Sequence, residues 1–143
     1  MYSLSSLCGC PWIALAGQER RVGSPIAAPD ANRFDRPRDL VFDLVRSADL
    51  WRRRVGVLTT LGFIRRADAS TTLSVAEMLL DDPEPLIHKA VGWMLREVGK
   101  RVDRGLLLEF LDTHAARMPR TMLSYATEHL AADRRAEYRG ARG

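Results

Sequence analysis

An amphipathic helical period runs almost without a break from Pro37 to Tyr138, and it limits the folds open to this chain more than any other feature. Apolar residues return every three or four positions, and no stretch alternates as a strand would. An all-α fold is therefore expected. Asp68 and Ser70 form a cap-like cluster, Pro83 and Pro85 bracket a helix start, and Pro119 stands where proline suits a first helical turn. The pattern predicts helices over about 37–47, 49–66, 70–81, 84–101, 103–114, 119–130 and 133–138, joined by short loops.

The chain also echoes itself at an offset of about 36 residues, since Leu50, Val55, Gly56, Leu58 and Arg65 recur as Leu86, Val91, Gly92, Met94 and Arg101. Helix pairs that repeat at this spacing are the mark of an α-solenoid with HEAT-like repeats, where the second helix of each pair lines a concave face. Gly56 and Gly92 would let helices approach closely.

Residues 1–36 read differently. They hold Pro11, Pro25 and Pro29 among glycines and serines with no sustained period, so a linker-like or disordered segment is expected there, ahead of a repeat domain over 37–143. Cys8 and Cys10 lie in that stretch, and no cluster of Cys or His elsewhere completes a ligand set, so neither a metal nor a disulfide framework is expected. No apolar run reaches the roughly 20 residues that a membrane helix requires. A cytoplasmic protein with no membrane partner and no cofactor is the expectation. The net charge of +4 comes almost wholly from arginine, because Lys89 and Lys100 are the only lysines. Arginine is the better fork for phosphate, although it is also an ordinary surface cation.

The most informative helix is the one over 84–101. At 100° per residue Ile87, Val91, Met94 and Val98 form a stripe that faces the core. Nearly opposite lie Lys89, Trp93, Arg96 and Lys100, a tryptophan framed by three cations. Such a face suits a phosphate backbone, with an aromatic available to a sugar, a base or a cation. It equally describes a tryptophan packed on the next helix beside a solvated face, and exposure of Trp93 separates the two. Over 49–66 the anomaly is reversed, with Arg54 inside an apolar stripe of Leu50, Val57, Leu58 and Leu61. It can pair with a carboxylate such as Asp49, snorkel to the surface, or reach a phosphate in a groove. Arg52 and Arg53 read as a solvated helix start, and Trp51 as core. His88, His114 and His129 are dispersed and suit packing or surface roles. No Ser, His and Asp arrangement, Gly-rich phosphate loop or HExxH helix supports another chemistry.

The segment LIHKAVGWMLREVGKR, residues 86–101, closely resembles the most recognisable stretch of AlkD-type DNA alkylation repair proteins, and HAARMPRTMLSYATEHL over 114–130 is similar to the family as well. DLWRRRVGVLTTLGFIRR, residues 49–66, resembles the family helix that contributes a functional arginine. The resemblance spans about 38–138 and implies HEAT-like repeats curved around double-stranded DNA, with excision of bases alkylated at N3 or N7. It carries Trp93 and Arg54 over as catalytic-site residues and Arg96 as a DNA contact, beside Lys89 and Lys100 read from the charged face. It also implies a nucleoid-associated place in the cytoplasm.

An N-alkylated purine is already cationic and leaves once the developing positive sugar is stabilised by aromatic faces and a carboxylate. In the family that carboxylate is an aspartate following a tryptophan on an earlier helix. Here Trp12 is followed by Ile13, Ala14, Leu15 and Ala16, so the aspartate is not found. The expectation is the carboxy-terminal part of such a DNA glycosylase, with weak or absent chemistry and an exposed repeat edge through which chains could associate. The alternative is a non-catalytic helical-repeat module that binds DNA or protein.

Overall fold

The structure, a computed structural model, describes residues 32–141 of the chain, with side chains from residue 37 onward. Cys8, Cys10, Trp12 and the stretch expected to be irregular up to residue 31 lie outside the described residues. Everything described is helix and connecting turn: α1 (Asn32–Val45), α2 (Leu50–Thr59), α3 (Leu61–Ile64), α4 (Ser70–Met78), α5 (Pro85–Arg101), α6 (Arg104–His114), α7 (Arg120–Ala126) and α8 (Ala132–Gly140). No strand occurs among the described residues, and no helix there is long and apolar enough to cross a membrane.

Local chemistry sets most boundaries. Asp49 caps α2 by accepting from the Arg52 backbone N–H at 2.9 Å, and Asp103 caps α6 by accepting from Gly105 at 2.7 Å. Pro85 opens α5, where a missing N–H costs nothing. Two boundaries depart from the sequence pattern. Helix α1 begins at Asn32, upstream of Pro37, and carries that proline inside it. The single helix expected over 49–66 is broken at Thr60, whose buried hydroxyl donates to the Val57 carbonyl at 2.7 Å. The chain then turns through Ala67 at a φ of 62°, a left-handed conformation that lets it reverse into α4.

The core is one continuous cluster running from Val41 and Val45 through Ile64, Val75 and Leu80 to Ile87, Met94, Leu95, Leu111, Met118 and Met122. At its centre is α5, packed by α2 on one side, α7 on the other, and α4 and α6 behind. Its apolar stripe is buried as the period requires, with Ile87, Val91, Met94 and Val98 all in the core. Helices α5 and α7 run parallel, since Gly92 meets Met122 and Tyr125 while Arg96, one turn further on, meets Glu128.

The repeat is visible in the polar contacts that tie neighbouring pairs together. Arg38 pairs with Asp68, Arg54 donates to the Leu86 carbonyl, Arg96 pairs with Glu128 and Arg117 with Asp81, at sequence separations of 30, 32, 32 and 36. Each joins one helix pair to the next. A stack of pairs in which each unit contacts its neighbours is what a HEAT-like array requires.

The glycine expectation holds, with a difference. A Cβ on Gly56 would lie 2.9 Å from the Val45 side chain and 3.2 Å from the Val41 carbonyl, so Gly56 admits α1. A Cβ on Gly92 would lie 2.5 Å from the Met122 carbonyl, so Gly92 admits α7. Trp51 corrects the expectation of a core residue: it is 64% exposed. Its side of α2 has no helix against it among the described residues.

A candidate DNA-binding groove

The exposed face of α5 opens into a groove completed by its two neighbours. Arg54 from α2, Lys89, Ala90, Trp93 and Arg96 from α5, and Tyr125 from α7 line it together. Trp93 and Tyr125 are each 38% exposed, so two aromatic side chains border one hollow. The exposed tryptophan inferred from spacing is thus exposed, and Arg54 and Lys89 stand beside it. Lys100 lies two turns beyond Trp93 on the same side of α5 and belongs to the adjoining pocket.

Helix α2 delivers Arg54 by a simple device. The residue is partly buried, and its guanidinium donates to the Leu86 carbonyl in the first turn of α5 at 3.0 Å. The Asp49 partnership is excluded, because that carboxylate caps its own helix. One bond to a carbonyl fixes the guanidinium but leaves its charge uncompensated. Arg53 corrects the expectation of a solvated helix start. Its side chain is 14% exposed, pairs with Asp82 at 2.9 Å and donates to the Ser47 and Ala48 carbonyls at 3.0 and 2.8 Å. Of the two adjacent arginines, Arg53 holds the fold and Arg54 faces the groove.

Glu97 lies one turn beyond Trp93 on the same helix. Glu97 is buried, and its carboxyl is held below the usual glutamate range, chiefly by the hydrogen bond from Arg101. Burial opposes this, while the Arg101 charge, a hydrogen bond from the Trp93 side chain and the Arg96 charge assist it. The Arg101 Nε lies 2.6 Å from the carboxylate and the nearest Arg96 nitrogen 3.5 Å. A buried anion between two arginines therefore lies one turn below Trp93 in the wall of the groove. Glu97 carried no signal beyond its position four residues after Trp93 and four before Arg101.

Arg96 is less available than its place on the helix implies. It pairs with Glu128 as well as with Glu97, and its side chain is 20% exposed. The uncompensated charge on this face thus falls to Lys89, Lys100 and Arg54, with no ion pair to any of them among the described residues. Tyr125 escaped sequence reasoning because it reaches the groove from the next helix pair. His88, His114 and His129 stay apart, and among the described residues no group of His, Cys, Asp or Glu is placed to hold a metal.

The arrangement offers flat aromatic faces within a cationic rim, suited to a ligand with anionic groups flanking a planar or cationic centre. No carboxylate lines this groove among the described residues. No curated protein and no solved structure matches the chain. The model of the family described as DNA alkylation repair enzyme matches residues 22–130, most of the chain, and this protein belongs to that family.

Proposed function

We propose that the chain binds duplex DNA carrying purines alkylated at N3 or N7, with the groove between α2, α5 and α7 as the contact surface. The observation that carries this reading is the convergence of Arg54, Lys89, Trp93 and Tyr125 from three helices on one hollow. Arg54 and Lys89 meet phosphate oxygens, and Trp93 and Tyr125 present ring faces to the cationic base or its sugar. The family resemblance adds glycosidic bond hydrolysis, which requires stabilisation of positive charge on the departing sugar. Glu97 is committed to Arg101, and Glu128 to Arg96. With the described residues alone the groove recognises a lesion more readily than it releases one, so base excision is slow or absent.

Binding of a methylated and an unmodified duplex, with release of free methylpurine followed alongside, tests this. Trp93→Ala is expected to weaken binding of the methylated duplex by about 1–3 kcal/mol, roughly 5- to 150-fold, with less effect on the unmodified one. Wild-type affinity in that variant, or binding indifferent to salt, overturns the assignment. Methylpurine release that is rapid and vanishes in Trp93→Ala restores full enzymatic chemistry to the groove.

A second reading, a non-catalytic module that docks a partner chain, is favoured by Leu40, Trp51 and Val55, which stand exposed on α1 and α2. Sedimentation across concentrations separates it from the first, since association through these residues is lost in Trp51→Ala while DNA binding is kept.

A further inference from the structure

Beside the groove lies a second pocket, at the meeting of α5, α6 and α7. Its rim carries three exposed residues, Lys100, Arg104 and His129, and its floor is formed by buried Leu107, Ala126 and Leu130. Arg96 forms part of the wall between this pocket and the first. Because Arg96 is engaged by Glu128 and Glu97, the charge left on the rim comes from Lys100 and Arg104. Neither is ion-paired among the described residues. The nearby acid, Asp103, directs an oxygen to the Gly105 backbone N–H.

We propose that this pocket is a second DNA-backbone site, taking a sugar–phosphate unit of the strand whose altered base faces Trp93; it rests on the function assigned above. A deoxyribose has an apolar face to lay on leucine and alanine, and its phosphodiester meets the two free cations at the rim. Lys100 stands on the same side of α5 as Trp93, about 10 Å further along the axis at 1.5 Å per residue. Arg104 comes from α6, so the second site ties a different helix pair to the same strand. The two pockets then divide the work: the first reads the base, and the second fixes the register of the backbone.

The test is affinity for an unmodified duplex and its methylated counterpart across a range of salt. Removing one cation that neutralises a phosphate reduces the slope of log K against log salt by about one. The double variant Lys100→Gln, Arg104→Gln is therefore expected to lower the slope by about two and to weaken both duplexes equally. Trp93→Ala should show the reverse pattern, an unchanged slope with a weaker preference for methylated DNA. Arg117→Gln, which removes an exposed cation paired with Asp81 beyond α4, serves as the control for bulk charge. A double variant with the wild-type slope, or with no more change than Arg117→Gln, overturns the second site and leaves the first standing. A wild-type chain without salt-dependent affinity removes both together.

Discussion

Helices α2 and α5 align at an offset of 36 residues, so that Trp51 corresponds to Ile87 and Val55 to Val91. Trp51 and Val55 are 64% and 53% exposed, whereas Ile87 and Val91 are 0% and 1% exposed. Similar residues therefore meet opposite surroundings, because α5 has a helix on each side and two behind while α2 lacks a neighbour on the Trp51 side among the described residues. Helical period decides which residues share a face, and the number of neighbouring helices decides whether that face is buried. The same contrast shapes the groove, where Trp93 remains open because α2 and α7 flank it without covering it.

The largest test of this contrast compares its two most divergent positions. Ile87→Ala should cost about 2–5 kcal/mol in a denaturant titration, since removing a fully buried branched side chain leaves a cavity in the core. Trp51→Ala should change stability by no more than about 0.5 kcal/mol, as exposed substitutions usually do. Comparable losses would break the comparison and mean that something covers Trp51 in the working protein.

The sequence carried most of the fold because helix signals are local. Asp49, Pro85, Asp103 and Pro119 mark four helix starts, and the buried stripe of α5 follows from its period. The break at Thr60 was hidden because it depends on the threonine hydroxyl finding the Val57 carbonyl in place of solvent. The site was legible where one helix carries it, as with Lys89, Trp93 and Lys100. It was illegible where partners come from other helix pairs: Tyr125, Glu128 on Arg96, and the choice between Arg53 and Arg54. Those depend on which way each helix faces its neighbour, and a one-residue shift along α2 would exchange the two arginines.

The glycines offer a smaller and sharper test. In Gly92→Ala the added methyl would meet the Met122 carbonyl at 2.5 Å and the Tyr125 Cβ at 2.7 Å, atoms fixed to a helix backbone. About 1–3 kcal/mol of strain is expected, offset in part by the roughly 1 kcal/mol that alanine gains over glycine within a helix. In Gly56→Ala the added methyl would meet a Val45 methyl at 2.9 Å, the Leu44 Cβ at 3.0 Å and the Val41 carbonyl at 3.2 Å, each a looser approach than the closest two at Gly92, so a smaller net loss is expected. Only Gly92→Ala should also weaken DNA binding, since pushing α7 away carries Tyr125 out of the groove. Equal effects on stability would show that α1 is held against α2 as rigidly as α7 is against α5.

The last distinction is electrostatic. The position on α3 that corresponds to Glu97 is Leu61, so of these two helices α5 carries the buried anion among arginines. Arg101 first, with Trp93 and Arg96, holds the Glu97 carboxyl below its ordinary value of 4.5, and the folded state thus favours the ionised form. A depressed folded-state pKa contributes stability that is present above the unfolded value and is lost as pH falls through the folded one. At neutral pH Glu97→Gln should therefore be less stable than wild type by about 1 kcal/mol, the scale of one charge-assisted hydrogen bond to a partly exposed arginine. The gap should close as pH drops below about 4, because the wild type then loses the same interaction on protonation. A gap of constant size from pH 7 to pH 3 would assign the loss to packing around Glu97 rather than to its charge.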